Sequence, residues 1–141
     1  MKTAAVVATV ISLTLLMCRA DEGSGKAQEE VLPQTTNGNF VLYVSNQSSD
    51  TSPVDITVHI DEKKAVSADF AFGNGHSWGK HTFQLAPGKH RITAVSQQGS
   101  ARMEKEIEIK DKHWAVIDYF STKRNGKIFS FKIKDRPIMF M

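Results

Sequence analysis

The sequence predicts an all-β fold: a single antiparallel β-sandwich of about seven to eight strands, immunoglobulin-like, over residues 39–141. Three observations predict it. Apolar residues recur with period two from Asn39 onward. Gly, Pro, Asn and Asp interrupt that pattern roughly every 8–12 residues. No stretch of residues 39–141 carries the 3.6-residue period of an amphipathic helix.

Residues 1–20 read as a signal peptide, not as part of the fold. Lys2 supplies the positive start, and Ala4 to Met17 is a continuous apolar or small-polar run. That run falls short of the roughly 20 residues a membrane-spanning helix needs. Two processing readings stay open. Cys18-Arg19-Ala20 presents small residues at the −3 and −1 positions of a cut before Asp21. A lone cysteine after an apolar run also resembles a bacterial lipoprotein signal, with Met17 where such signals carry a small residue. Cys18 would then be lipidated and become the first mature residue. Either way the folded part has no cysteine, so its apolar core must hold it without disulfides.

Residues 21–38 read as a flexible linker: they are rich in Gly, Ser, Gln, Glu and Thr, with Val31 and Leu32 the main apolar residues. The strands then follow in order. Phe40, Leu42 and Val44 alternate with Val41 and Tyr43. In the clearest strand, Val54, Ile56, Val58 and Ile60 face one way and Asp55, Thr57, His59 and Asp61 the other. A charged turn at Asp61-Glu62-Lys63-Lys64 leads to a strand near Ala65–Phe72, which Gly73-Asn74-Gly75 ends. Phe83 and Leu85, then Ile92 and Ala94, flank the turn Ala86-Pro87-Gly88-Lys89. Met103, Lys105, Ile107 and Ile109 alternate with Arg102, Glu104, Glu106 and Glu108. Trp114, Val116, Asp118 and Phe120 interleave with Ala115, Ile117 and Tyr119, and Trp114 is expected in the core. Asn125-Gly126 marks a hairpin before Phe129, Phe131 and Ile133. The apolar end, Ile138 to Met141, is expected along a sheet edge. Lys105 on the apolar face of the longest strand argues against an outer-membrane barrel.

Two stretches resemble exported β-sandwich modules. Pro53-Val54-Asp55-Ile56-Thr57-Val58-His59-Ile60-Asp61-Glu62-Lys63-Lys64 is similar to their "PVDVYVDGK" strand and turn. Leu85-Ala86-Pro87-Gly88-Lys89-His90-Arg91-Ile92-Thr93-Ala94 is similar to their "LPPGKHTVTA" turn and strand. The modules are of the PEGA and carboxypeptidase-regulatory-like type, with the related "VDVYVDG" domains, whose "ASPDAP" loop compares with Ser49–Pro53. Glu62 stands where they favour Gly, which implies a turn of another type. The resemblance spans about 40 residues and implies a sandwich outside the cytoplasm; it does not by itself imply a function.

Charge excludes little. The net charge is +3, but without Lys2 and Arg19 the remaining 16 basic residues face 15 acidic ones. A balance of +1 gives no reason to expect a nucleic-acid partner. No nucleophile, base and orienting acid stand out; Ser77, His81 and Asp69 form a trio any sandwich could offer by chance, so no enzyme is expected.

The Gly-rich loop Gly73–Lys80 carries the candidate site. Asn74, His76 and Trp78 together would suit a sugar: the indole covers apolar C–H surface while polar groups take hydroxyls. The simpler expectation for Trp78 is that it folds back to plug the end of the core. His76 and His81 flank the same loop and would serve a metal-binding carrier, although no tight His-X-His pair exists. His59 and His90 read as surface histidines on polar strand faces. Asn46-Gln47-Ser48 fits a glycosylation acceptor. No cofactor is expected. The reading that results is a non-enzymatic binding or scaffolding module, secreted or periplasmic, attached to a membrane only if Cys18 is lipidated. Its expected partner is a protein, met through sheet edges and the 73–80 loop, with carbohydrate the alternative.

Overall fold

The computed structural model describes residues 28–73 and 78–140. Eight strands appear in order: β1 (Phe40–Asn46), β2 (Val54–Ile60), β3 (Lys63–Phe70), β4 (Gly79–Phe83), β5 (Gly88–Ser96), β6 (Ala101–Ile109), β7 (His113–Thr122) and β8 (Gly126–Lys134). There is no helix among the described residues. The strands form two four-stranded sheets, β4-β1-β7-β8 and β3-β2-β5-β6. Their inner faces meet as a sandwich, which the alternating apolar pattern requires if each sheet is to bury one face.

The core is the set of residues that period two selects. Phe40, Leu42 and Val44 from β1, and Val54, Ile56, Val58 and Ile60 from β2, are fully or almost fully buried. Phe83, Ile92, Ala94, Ile107, Ile109, Ala115, Ile117 and Tyr119 belong to it as well. Burying each large side chain stabilises by about 1.5–3 kcal/mol, the source of stability open to a cysteine-free domain.

One strand pair departs from the antiparallel expectation. β1 runs parallel to β7, from Phe40 opposite His113 to Asn46 opposite Tyr119. Because β1 is central in its sheet, Phe40–Val44 are paired on both sides, with β4 and with β7.

The turns follow their residues. The β2–β3 hairpin closes through Asp61 and Glu62, both at positive φ (51° and 67°). Two left-handed residues make a type I′ turn, which fits the strand twist. Glu62 adopts there what Gly would adopt without strain. The Asp61 carboxylate braces the turn by accepting from the Arg91 backbone N–H at 2.9 Å and pairing with His90. The β7–β8 hairpin closes through the three-residue loop 123–125, followed by Gly126 at φ 69° as the first residue of β8, at the hairpin that Asn125-Gly126 predicts.

Residues read from composition as linker lie against the sandwich from about Glu29. Lys64 N–H donates to Glu30 O (2.8 Å) and Leu32 N–H to Lys64 O (2.9 Å), a parallel bridge to β3. Thr35 N–H then donates to Thr82 O of β4 at 2.9 Å. Glu29 pairs with His59 and with Lys64. This segment therefore straps one flank, crossing from the edge of one sheet to the edge of the other. Its attachment rests mainly on backbone bonds and charges, with Leu32 alone packed against the core, so a composition argument does not see it.

Candidate functional site

Of the three residues proposed for the Gly73–Lys80 loop, Asn74 and His76 lie outside the described residues, as does Cys18. Trp78 is described, and it does not plug the core. Its indole N–H donates to Asp118 Oδ1 at 3.1 Å. Asp118 belongs to the outer face of β7, opposite in alternation to the core residues Ala115, Ile117 and Tyr119. The same oxygen accepts from Ser45 Oγ at 2.6 Å, and Ser45 Oγ in turn accepts from Gln47 Nε2 at 2.8 Å. One face of the indole stacks on Phe140, with centroids 4.1 Å apart and 24° between planes. Phe140 also meets Tyr43 edge-on at 4.9 Å.

The C-terminal segment thus crosses the outer face of the β4-β1-β7-β8 sheet and does not run along an edge. That placement accounts for Val116, an outward residue of β7 that is nonetheless buried. Trp78, Val116, Asp118, Lys132, Lys134 and Phe140 line a small hollow there of about 280 Å³. Trp114 is corrected too. It shares the outer face with Asp118, half-exposed, with Lys112 Nζ 5.3 Å from its ring centroid. Both alternating sets of β7 are mostly apolar, with Asp118 alone charged, so period two marked the inward face only weakly.

The histidines are individually employed. His81 faces the interior opposite Leu42. Its Nδ1 is bonded to Gln34 Nε2 at 3.2 Å, and its Nε2 is buried without a partner. Burial pushes its pKa down, so it is neutral at pH 7. His90 bonds through both ring nitrogens, to the Asp61 carboxylate and to the Ala86 carbonyl. Two acceptors on one ring call for the imidazolium. Burial alone would lower the His90 pKa, but Ala86 O and Asp61 outweigh it and hold it above the ordinary value. His59 pairs with Glu29, whose own pKa is lowered by that bond and by Lys64. No group of three metal-ligating side chains occurs among the described residues. Asn46 is not an accessible acceptor for a glycan: it is 2 % exposed, and its side-chain N–H groups donate to Thr51 O (2.7 Å) and Phe70 O (3.1 Å).

The feature that stands apart is the flank opposite the strap. There β6 and β8 are the terminal strands of their sheets, and among the described residues neither has a further strand beside it. An open cleft of about 840 Å³ lies between them. Its apolar lining is Ile107, Phe131 and Ile133; its charged lining is mixed, with Lys105, Lys134 and Arg136 beside Glu106, Glu108 and Asp135. His113 also lines it, with a buried Nε2 that has no hydrogen-bond partner.

The two edges of this flank differ. β6 places Lys105 on its inward side between Met103 and Ile107, a charge that discourages another strand from pairing. β8 carries an inward-side charge only near its start, at Lys127, and its inward side from Phe129 to Ile133 is apolar. Its register with β7 is unbroken from Gly126 to Lys134, without Pro or bulge. Phe129, Phe131 and Ile133 point inward, and Ile128, Ser130, Lys132 and Lys134 outward.

Charge marks the same element. Residues 123–136 contain Lys123, Arg124, Lys127, Lys132, Lys134 and Arg136 against the single acid Asp135, a net of +5. Among the described residues, every ion pair involves His59, Lys63, Lys64, Lys89, His90, Arg91 or Arg102, and none involves these six cations. Sequence reasoning missed this because it weighed the charge of the whole chain. A sliding count over a hairpin-sized window would have shown it. The chain matches no known protein-family profile and no curated protein sequence.

Proposed function

We propose that this chain is a non-enzymatic binding module that works outside the cytoplasm and engages a protein partner through its β6/β8 flank. The observation that carries the reading is the asymmetry of the flanks. One is closed by the chain's own residues 30–35, and the other presents two terminal strands and an amphipathic cleft. An unpaired strand offers backbone donors and acceptors that an extended segment satisfies, and a neighbouring cleft takes its alternate side chains. The apolar run at 1–20 supports export, and the strand-and-turn resemblance to exported sandwich modules agrees with it.

The test is capture from native envelope or culture medium with tagged residues 21–141. Capture of one protein by the natural sequence, retained by Lys80→Glu on β4 and lost in Lys132→Glu/Lys134→Glu, supports the reading. Capture indifferent to the β8 change contradicts it. A carbohydrate reading at Trp78 draws on one observation, the hollow that Asp118, Lys132 and Lys134 share with the indole. Retention on polysaccharide that survives Trp78→Ala would remove it.

A further inference from the structure

We infer that the β8 edge accepts an acidic extended segment of a partner protein, added as a fifth strand of the β4-β1-β7-β8 sheet. The inference rests on the module reading above and names the chemistry of its partner. The backbone of β8 is available along nine residues, Gly126–Lys134, with a regular register behind it. A strand laid against it places its side chains in two rows about 5 Å from those of β8. One row runs over the cleft beside Phe129, Phe131 and Ile133, the last of these 36 % exposed. The other lies beside Ser130, Lys132 and Lys134, the two lysines both exposed. The incoming sequence is thereby specified as acid–apolar–acid opposite Lys134, Ile133 and Lys132, with apolar residues continuing at alternate positions.

Three observations favour this occupant. The cations of residues 123–136 form no ion pair within the described chain, and β8 itself carries three lysines and no acid. A second copy would bring the same hairpin of net charge +5 up to this one, and two such cationic elements repel as they approach. An anionic membrane or a nucleic acid would meet the charges but leave the edge backbone and the apolar row unused.

The experiment uses residues 21–141 and two capped seven-residue peptides, one alternating Glu with Val and the other Lys with Val. Affinity is read by titration, and strand addition by backbone hydrogen exchange. The Glu–Val peptide binds, the Lys–Val peptide binds about tenfold more weakly, and Lys132→Glu/Lys134→Glu inverts that preference. Amides of residues 126–134 exchange more slowly in the complex. Both lysines are exposed, so the variant keeps the far-ultraviolet spectrum of the natural chain.

Five results would overturn the inference. The first is Glu–Val binding unaffected by the charge reversal. The second is tighter binding to phosphatidylglycerol vesicles or heparin with unchanged exchange in β8, which assigns the cations to a polyanion. The third is concentration-dependent dimers with β8 protected in the absence of peptide, which assigns the edge to a second copy. The fourth is no peptide binding while a protein is still captured through β8; this removes the acidic partner and leaves the module reading. No peptide binding and no capture through β8 removes both.

Discussion

Gly99→Ala is expected to cost about 3 kcal/mol, although Gly99 is not among the glycines with a left-handed backbone. A Cβ at this position would stand 2.6 Å from Tyr119 Cε2, 2.8 Å from Tyr119 Cζ and 2.7 Å from Ser96 Oγ. Carbon–carbon contacts settle at about 3.5–4.0 Å, so the ring would have to retreat by roughly 1 Å. It has little room to do so. Tyr119 is fully buried, meets Phe129 edge-on at 5.7 Å, and donates its hydroxyl to Gly99 O at 3.0 Å. Overpacking costs about 1–3 kcal/mol, and disturbing a buried hydroxyl bond adds about 1 kcal/mol. In urea titration followed by circular dichroism, the midpoint falls by about 1.5 M for a slope near 2 kcal/mol/M. Tyr119→Leu removes the ring, so Gly99→Ala in that background costs under about 1 kcal/mol, and the coupling is about 2 kcal/mol. A cost below about 0.5 kcal/mol in the natural background, or equal costs in both, refutes the packing argument.

Three further outcomes are expected. Glu62→Gly relieves a left-handed residue at φ 67° and raises stability by about 0.5–1 kcal/mol, read as a higher thermal midpoint; a lower midpoint contradicts the turn assignment. The raised pKa of His90 makes its contribution complete below its unfolded value, about 6.5, and lost as pH rises through the folded value. Asp61 has a lowered pKa and acts in the opposite sense, its contribution lost as pH falls below about 3.9. Thermal melts of the natural chain should therefore decline above pH 6.5 more steeply than those of His90→Gln, and parallel profiles would contradict the pairing. Removing residues 137–141 uncovers Trp78 and Tyr43, so tryptophan emission in a Trp114→Phe background shifts to the red; unchanged emission would contradict the stacked Phe140.

The sandwich was legible because its core obeys period two so closely: β2 alternates buried and half-buried at every residue. Three features were not legible, for separate physical reasons. The parallel β1–β7 pair joins residues some 73 positions apart, as Ser45 and Asp118 show, and no local pattern encodes such a pairing. Trp114, a tryptophan on a strand, reads as core from the sequence, yet Ala115, Ile117 and Tyr119 form the inner row. The segment from Glu29 to Thr35 attaches by backbone pairing to Lys64 and Thr82, which composition does not record. Of the candidate site, sheet edges were named from the sequence, but which edge was not. That distinction needs the strand order, which alone shows that β8 is terminal and that its cations lie together.

Site-specific photocrosslinking along two strands tests the central claim most directly. Photoreactive side chains are placed singly at Ser130, Lys132 and Lys134 of β8, and at Lys80 and Thr82 of β4, in the chain expressed in its native setting. The account predicts a protein adduct from the β8 positions and none from β4, whose edge residues 30–35 already occupy in part. Adducts from β4 with none from β8 would contradict it and move the working surface to the strapped flank.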